Sequence, residues 1–373
     1  MKKLVLLLLS VCFAFSAYAQ LNGSGFYRVY NVGDSRYIYV TDNTGSVNTS
    51  TASAEMKAIQ LIKGLDKAIS NPATVLYFKQ ISGMMYDIQA QGTGVNAIIG
   101  YTPTIEYVKR ADAYKVSAEV YGMTLSLGSD ANDFYKDEEV SFMTTGESGN
   151  QILWKVVPIA TDGDNYFGVK PTIAVDGKYY QPFYASFAFS LASSGMKAYY
   201  VSAARGCGAK LEPINDDVIP AATPVIIECS SSDPSDNRLE VLSTGGTPIN
   251  NNLLGGVYFN NPLRMKSKDA TTKFDANTMR VLGKTSDGKL GFVMSSDKNL
   301  AANQAYLKVS AGSDVEIYAM DDAQYASIDM TIMDEADVNG VYSILGVKLR
   351  EDCSIDELPA GIYIVNGKKI IKR

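Results

Sequence analysis

Histidine is absent from all 373 residues. That absence removes the Ser-His-Asp and Cys-His nucleophile systems and histidine-ligated zinc centres, and with them the commonest protease, esterase and metallohydrolase designs. Tryptophan occurs once and cysteine four times, and no cysteine spacing matches a zinc site. Past the first twenty residues no apolar run approaches the roughly 20 residues that a membrane-spanning helix needs, so the chain is not expected to span a bilayer. Phosphate cradles are missing too, because Gly206-Cys207-Gly208 and Gly245-Gly246 stand between strand-like runs with no helix following. No cofactor and no metal are therefore expected, and the chain reads as a non-enzyme.

What is present begins with a leader. Lys2 and Lys3 precede an apolar stretch from Leu4 to Phe15, and Ala17-Tyr18-Ala19 forms a small-x-small cleavage site, the three parts of a secretory signal peptide over residues 1–19. The expected localisation is the cell surface or the extracellular medium, otherwise the periplasm. Loss of the two leader lysines takes the formal charge of -6 to -8, a balance that argues against nucleic acid or anionic lipid as partner. About 350 remaining residues are too many for one ordinary core and point to two or three domains. Three cysteines remain, Cys207, Cys229 and Cys353. Either Cys207 and Cys229 bridge neighbouring strands in an oxidising envelope, or all three are unpaired thiols.

Short runs rich in Val, Ile, Tyr and Phe recur every 8 to 15 residues between Gly, Asn, Asp, Ser and Pro, which is the punctuation of antiparallel sheets. The fold class is all-β. Asp176-Gly177, Asp287-Gly288 and Asn366-Gly367 mark hairpins over Ile173 to Tyr180, Val281 to Met294 and Ile362 to Ile371, since each dipeptide tolerates the positive φ of a tight primed turn. One segment, Ala52 to Ser70, is predicted to be a helix, with Ala58, Leu61, Ile62, Leu65, Ala68 and Ile69 on one face and Asn71-Pro72 as its stop.

Residues 20–160 carry a loose repeat of strand, polar turn and strand. Its copies are Tyr27 to Tyr30 with Arg36 to Val40, Tyr77 to Gln80 with Met85 to Ile88, and Tyr114 to Val116 with Met123 to Leu127. Trp154 closes the last copy. Three hairpins in about 135 residues fit a β-trefoil, a short barrel capped by three hairpins. In Gly25-Phe26-Tyr27-Arg28 and Arg36-Tyr37-Ile38-Tyr39-Val40 the segment resembles the ricin-type trefoil lectins, although their Gln-x-Trp signature occurs in no copy; a sandwich of similar size is the other reading.

Residues 161–322 form a second unit. Phe183, Ala185, Phe187, Phe189 and Leu191 are expected on one face of a single strand, with Tyr184, Ser186, Ala188 and Ser190 on the other. Together with Met196 to Val201 and Val218 to Ile227, this stretch resembles a β-sandwich module common in secreted proteins of anaerobic gut and oral bacteria. A tail over 333–373 follows. Its runs Gly340 to Leu349, Leu358 to Val365 and Lys368 to Arg373 resemble the end of the C-terminal sorting domains of type IX secretion. The alternative is a closing meander of the preceding domain.

Chemistry in this sequence falls to carboxylates, amides and tyrosine. Two carboxylates suffice for a glycosidase, but Asp137-Glu138-Glu139 and Asp216-Asp217 read as solvated loops, which leaves that class a distant third. Asp162, Asp164 and Asn165 alternate as calcium ligands do, without the glutamate that would complete an EF-hand loop, so a turn is expected there. Tyrosine is abundant at 24 residues. Its ring stacks on sugar faces while neighbouring amides and carboxylates bind hydroxyls, so Tyr37, Tyr39, Asp42, Asn43, Tyr86 and Gln89 are the candidate ligand-binding residues. The expectation is a secreted or surface protein that binds carbohydrate, with glycans or host or bacterial surface proteins as partners. The rival reading is a structural or adhesive protein that contacts other proteins.

Overall fold

The computed structural model describes residues 21, 23–40, 59–92, 102–120, 122–129, 140–144, 149–205, 207–258, 272–310, 316–321, 323–325, 340–343, 347–365 and 368–372. Residues 1–19, Asp42 and Asn43 lie outside them. Within them the chain is built of strands, as its alternating apolar pattern predicts.

The first unit comprises β1 (Gly25–Asn31), β2 (Arg36–Val40), β3 (Ile59–Lys63), β4 (Leu76–Ser82), β5 (Met85–Ala90), β6 (Thr104–Val108), β7 (Ala113–Val120), β8 (Met123–Ser129), β9 (Val140–Thr144) and β10 (Leu153–Pro158). Six of these close a ring of antiparallel pairs, β1 to β4, β5, β6, β7, β10 and back to β1. Every ring member contributes inward residues of its two-residue period to one core. Val29, Phe78, Tyr86, Ile88, Ile105, Val116 and Trp154 meet there, and the indole of Trp154 donates to the Leu127 carbonyl at 2.9 Å.

The three expected hairpins all form as adjacent pairs, but they are not equivalent copies. Both strands of β4–β5 belong to the ring. In β1–β2 and β7–β8 only the first strand does, and β3 and β9 extend the outer strand of each.

The predicted helix over residues 52–70 is corrected. Ile59–Lys63 is a strand paired with β2, and only Leu65–Ala68 (α1) is helical. Gly64 between them has φ +100°, a conformation other residues rarely adopt. Leu61 and Ile62 satisfied a helical period, but burial of Leu61 against the outer strand of the first hairpin decides for the sheet. Asn71 does stop the helical stretch: its side chain accepts from the Ala73 amide and starts a short turn at Pro72.

In the second unit β11 (Phe167–Gly168), β14 (Ala188–Leu191) and β18 (Arg238–Leu242) make a three-stranded sheet. The other strands are β12 (Ile173–Val175), β13 (Lys178–Phe183), β15 (Lys197–Arg205), β16 (Gly208–Pro213), β17 (Val225–Cys229), β19 (Leu254–Val257), β20 (Met279–Lys284), β21 (Leu290–Val293), β22 (Gln304–Lys308) and β23 (Ile317–Met320). They run in the order β12-β13-β17-β15-β16-β23-β21-β20-β22-β19.

The single strand expected from Phe183 to Leu191 is interrupted, because β13 ends at Phe183 in the large sheet and β14 begins at Ala188 in the small one. The chain changes sheet between them. Phe183, Ala185, Phe187 and Phe189 are nevertheless all buried, filling the space between the two sheets. A separate cluster, including Val201, Ile226, Leu282, Phe292 and Leu307, fills the remainder of the large sheet. Of the expected hairpins, Asp176 and Gly177 turn the chain at φ +50° and +75°, and β20 pairs with β21 around Asp287-Gly288.

The tail forms β24 (Val341–Ser343), β25 (Lys348–Arg350), β26 (Gly361–Val365) and β27 (Lys368–Lys372), in the order β25-β24-β26-β27. Val365 pairs with Lys368 across the third expected hairpin, whose tip lies outside the described residues. The cysteine expectation is corrected. Cys207 is bridged to Cys353, 146 residues on, while Cys229 is free and buried. The bridge fastens the tail to the second unit.

Candidate functional site

The tail, bridged to the second unit through Cys353, leaves a cleft of about 680 Å³ between them. Its walls come from the β12–β13 hairpin, from β15, β17 and β23, from the turn between β20 and β21, and from Cys353, Val365, Lys369 and Ile370 of the tail. Antiparallel registry sets the floor. Tyr180 of β13 stands opposite Glu228 of β17, and Tyr199 of β15 pairs with Ile226, two residues along that strand and so on the same face.

The Tyr199 hydroxyl donates to the Glu228 carboxylate at 3.2 Å, and the Lys178 ammonium lies 3.3 Å from the same group. Opposite them, the Thr285 hydroxyl donates to Asp287 at 2.6 Å, Lys289 lies 3.4 Å from that carboxylate, and Tyr318 completes the wall.

The electrostatics keep these groups in fixed roles. Burial, reinforced by Glu228 and Asp176, pushes Tyr180 up to about 12. Burial and Glu228 raise Tyr199 as well, and burial followed by Asp287 and Glu316 raises Tyr318. All three hydroxyls stay protonated and able to donate. At Asp287 burial alone acts upward, but the Thr285 hydroxyl and Lys289 hold the carboxyl below its ordinary value. A carboxyl held ionised accepts hydrogen bonds well and donates a proton poorly. Burial, with Glu228 beside it, pushes the Cys229 thiol up to about 12, far from the range of a reactive thiolate. Among the described residues no group of three His, Cys, Asp or Glu side chains is placed to hold a metal ion. The arrangement offers tyrosine rings, hydroxyl donors, carboxylate acceptors and ammonium groups, which is binding chemistry.

The candidate residues from sequence do not assemble into one site. Tyr37 and Tyr39 are half-buried on the outer side of β2, alternating with buried Ile38 and Val40, and Tyr37 packs against Tyr30 with ring centroids 5.0 Å apart. Gln89 lies on β5 and donates to Asp87 at 2.6 Å. Two strands, β1 and β4, stand between β2 and β5, which separates them by about 14 Å along the sheet. Tyr86 is corrected outright, because at 1% exposure it belongs to the ring core and offers no face to a ligand.

Asp216 and Asp217 are exposed in a turn, and Asp137-Glu138-Glu139 lie outside the described residues. The turn expected at 161–165 is structural: Asn165 accepts from Arg28 at 2.9 Å and donates to the Val157 and Pro158 carbonyls.

Sequence reasoning passed over Tyr180, Tyr199, Tyr318 and Glu228. Tyr180 was placed on a hairpin and Tyr199 in a strand-like run, yet only pairing between distant strands puts them beside Glu228. No family model matches the chain, and no curated protein and no solved structure matches it either.

Proposed function

We propose that this is a non-catalytic, secreted or surface-attached protein that binds carbohydrate in the cleft beneath its C-terminal sheet. One observation carries the reading: the about 680 Å³ cleft brings Tyr180, Tyr199 and Tyr318 together with Glu228, Asp287, Lys178 and Lys289. Tyrosine edges and faces suit the C–H surfaces of a sugar, and paired carboxylate and ammonium groups suit its hydroxyls.

The Cys207–Cys353 bridge supports export, since disulfides persist in oxidising compartments. The six-stranded ring, with an outer pair of strands continuing from β1 and from β7, supports the trefoil reading of this unit. The trefoil reading thus keeps its place as an expectation for this unit, as does the sorting role of the tail.

The experiment is a glycan and polysaccharide array probed with residues 20–373 and with the Glu228→Gln variant. Saturable binding that Glu228→Gln weakens supports the proposal. A folded protein that binds nothing on the array sinks it.

A second reading has its own observation. Ile362 and Ile371 face each other across β26 and β27, at 39% and 64% exposure. Exposed apolar pairs of this kind favour contact with another protein surface, the adhesive alternative.

A further inference from the structure

The C-terminal strands form a body of their own. Among the described residues β24 to β27 pair only with one another, and Val341, Tyr363 and Val365 make a small core with Cys353, Ile355, Leu358 and Ile370, all from the tail. The segment that carries Cys353 is fixed to that sheet. The Lys372 ammonium on β27 donates to the carbonyls of Ile355, Asp356 and Leu358 at 2.6, 2.5 and 2.6 Å. Arg350 on β25 donates to Asp352 at 2.7 Å and to Glu357 at 2.8 Å. A constraint on Cys353 is thereby a constraint on the whole tail sheet.

The other end of the bridge is held at the cleft floor. Cys207 is fully buried, its carbonyl accepts from the Tyr318 amide at 2.6 Å, and the next residue, Gly208, pairs with Tyr318 across β16 and β23. Tyr318 lines the cleft, and so do Cys353, Val365, Lys369 and Ile370 of the tail. The bridge therefore runs from the floor of the cleft to the sheet that supplies its outer wall. Without it the tail stays covalently joined only through the chain from Met320 to Gly340, which can span up to about 65 Å.

Cys229 does not take over the bridge. It follows Glu228 on β17, and because side chains alternate along a strand it points away from the cleft into the core between the two sheets. Burial also raises its pKa, which disfavours the thiolate that exchange requires.

We propose that the C-terminal sheet is a redox-controlled lid: joining Cys207 to Cys353 closes it and completes the cleft, and reducing the bridge frees it and dismantles the binding site. A dithiol reductant delivers two electrons and two protons, the S–S bond breaks, both cysteines become thiols and the reductant closes to its own disulfide. Disulfides persist in oxidising compartments and not in a reducing cytosol, so the site is assembled only once the chain reaches such a compartment. The inference rests on the carbohydrate reading of the cleft for what is bound, but not for the movement of the lid, and the test reads the two separately.

Lys178 and Lys289 of the second unit and Lys369 of the tail line the same cleft, and all three are exposed. An amine-reactive bifunctional cross-linker joins Lys369 to one of the other two while the lid is closed. Residues 20–373 are cross-linked as the oxidised protein, after dithiothreitol, and as Cys353→Ser, with cross-linked peptides quantified by mass spectrometry and a thermal melt to show that each sample is folded. The expected result is a cross-link yield about ten-fold lower in the reduced protein and in Cys353→Ser, where the tail is held by a flexible tether, and restored on reoxidation. Affinity for the best array glycan falls about ten-fold in parallel. Should Cys353→Ser not fold, the reduced wild type decides. Equal cross-linking in the oxidised and reduced protein overturns the lid, whatever the array shows. A reduced chain that unfolds as a whole overturns it too, since the bridge then holds the fold and not a lid. Glycan affinity unchanged by reduction, with the cross-link lost, overturns the claim that the lid completes the site. Loss of the cross-link in a protein that binds no glycan in either state supports the lid and overturns the sugar reading of the cleft instead.

Discussion

The hydroxyl of Tyr199 donates to the carboxylate of Glu228 across 3.2 Å, tying β15 to β17 on the floor of the cleft. Tyr180 stands opposite the same glutamate in the sheet, and Lys178 lies 3.3 Å from it. Glu228 thus holds a shared position among three neighbours. Replacement by Gln keeps the shape and one acceptor but removes the charge that Lys178 faces. The expected outcome is glycan affinity lowered by about ten-fold with little change in the thermal midpoint. Isothermal titration against the best array ligand checks it, and unchanged affinity would count against the cleft.

Alkaline pH gives an independent test of the same buried tyrosines. An unfolded tyrosine ionises near 10.0, whereas burial beside Glu228 takes Tyr180 to about 12. Between those values the unfolded chain has lost a proton that the folded one retains, so stability falls as pH rises. The contribution is complete below pH 10 and is lost as pH climbs toward 12. Tyr199 acts in the same direction. Urea midpoints measured from pH 8 to pH 11.5 should decline above pH 10, and the decline should be shallower in Tyr180→Phe. An identical slope in that variant would contradict the assignment.

Arg28 holds the ring unit to the segment that leaves it. It is fully buried, with Nη1 donating to Asn165 Oδ1 at 2.9 Å and the Tyr166 carbonyl at 2.8 Å, Nη2 to the Ile69 carbonyl, and Nε to Thr74. Burial draws its pKa down to about 9, which still leaves the guanidinium charged at neutral pH. Arg28→Met removes the donor from four acceptors and should cost about 3 kcal/mol or more. Equilibrium urea unfolding measures it, and a loss below about 1 kcal/mol would mean that water replaces the guanidinium without penalty.

The Cys207–Cys353 bridge closes a loop of 146 residues, for which chain entropy gives an upper figure of about 5 kcal/mol. Cys353→Ser should lower stability by part of that amount, and limited proteolysis should release the tail first. Non-reducing mass spectrometry of the wild type should find Cys207 and Cys353 joined and Cys229 free. A Cys207–Cys229 peptide would contradict the structure.

Much of the fold was legible because its signals are local. Asp176-Gly177 and Asp287-Gly288 mark their turns by backbone tolerance of positive φ, and the two-residue alternation of Ile38 and Val40 or Leu76 and Phe78 reads directly as strand. The same alternation places Tyr86 inside with Ile88 and Ala90, whatever its polar sequence neighbours Asp87 and Gln89 suggest. The segment before Asn71 misled because Leu61 and Ile62 fit two periods at once, and the choice between them rests on a partner strand that composition does not reveal. The cleft was not legible. It depends on contacts such as the parallel pairing of Gly208 with Tyr318 and the return of Cys353 to Cys207, both set by tertiary closure.

The central claim, that sugar binds beneath the C-terminal sheet and not on the outer strands of the ring unit, is tested most directly by two variants on one glycan array. Tyr318→Ala removes a ring from the cleft, and the Tyr37→Ala, Tyr39→Ala double variant removes two from the outside of β2. The account predicts that Tyr318→Ala loses binding while the double variant keeps it. Binding lost in the double variant and kept in Tyr318→Ala would contradict the account and move the site to the ring unit.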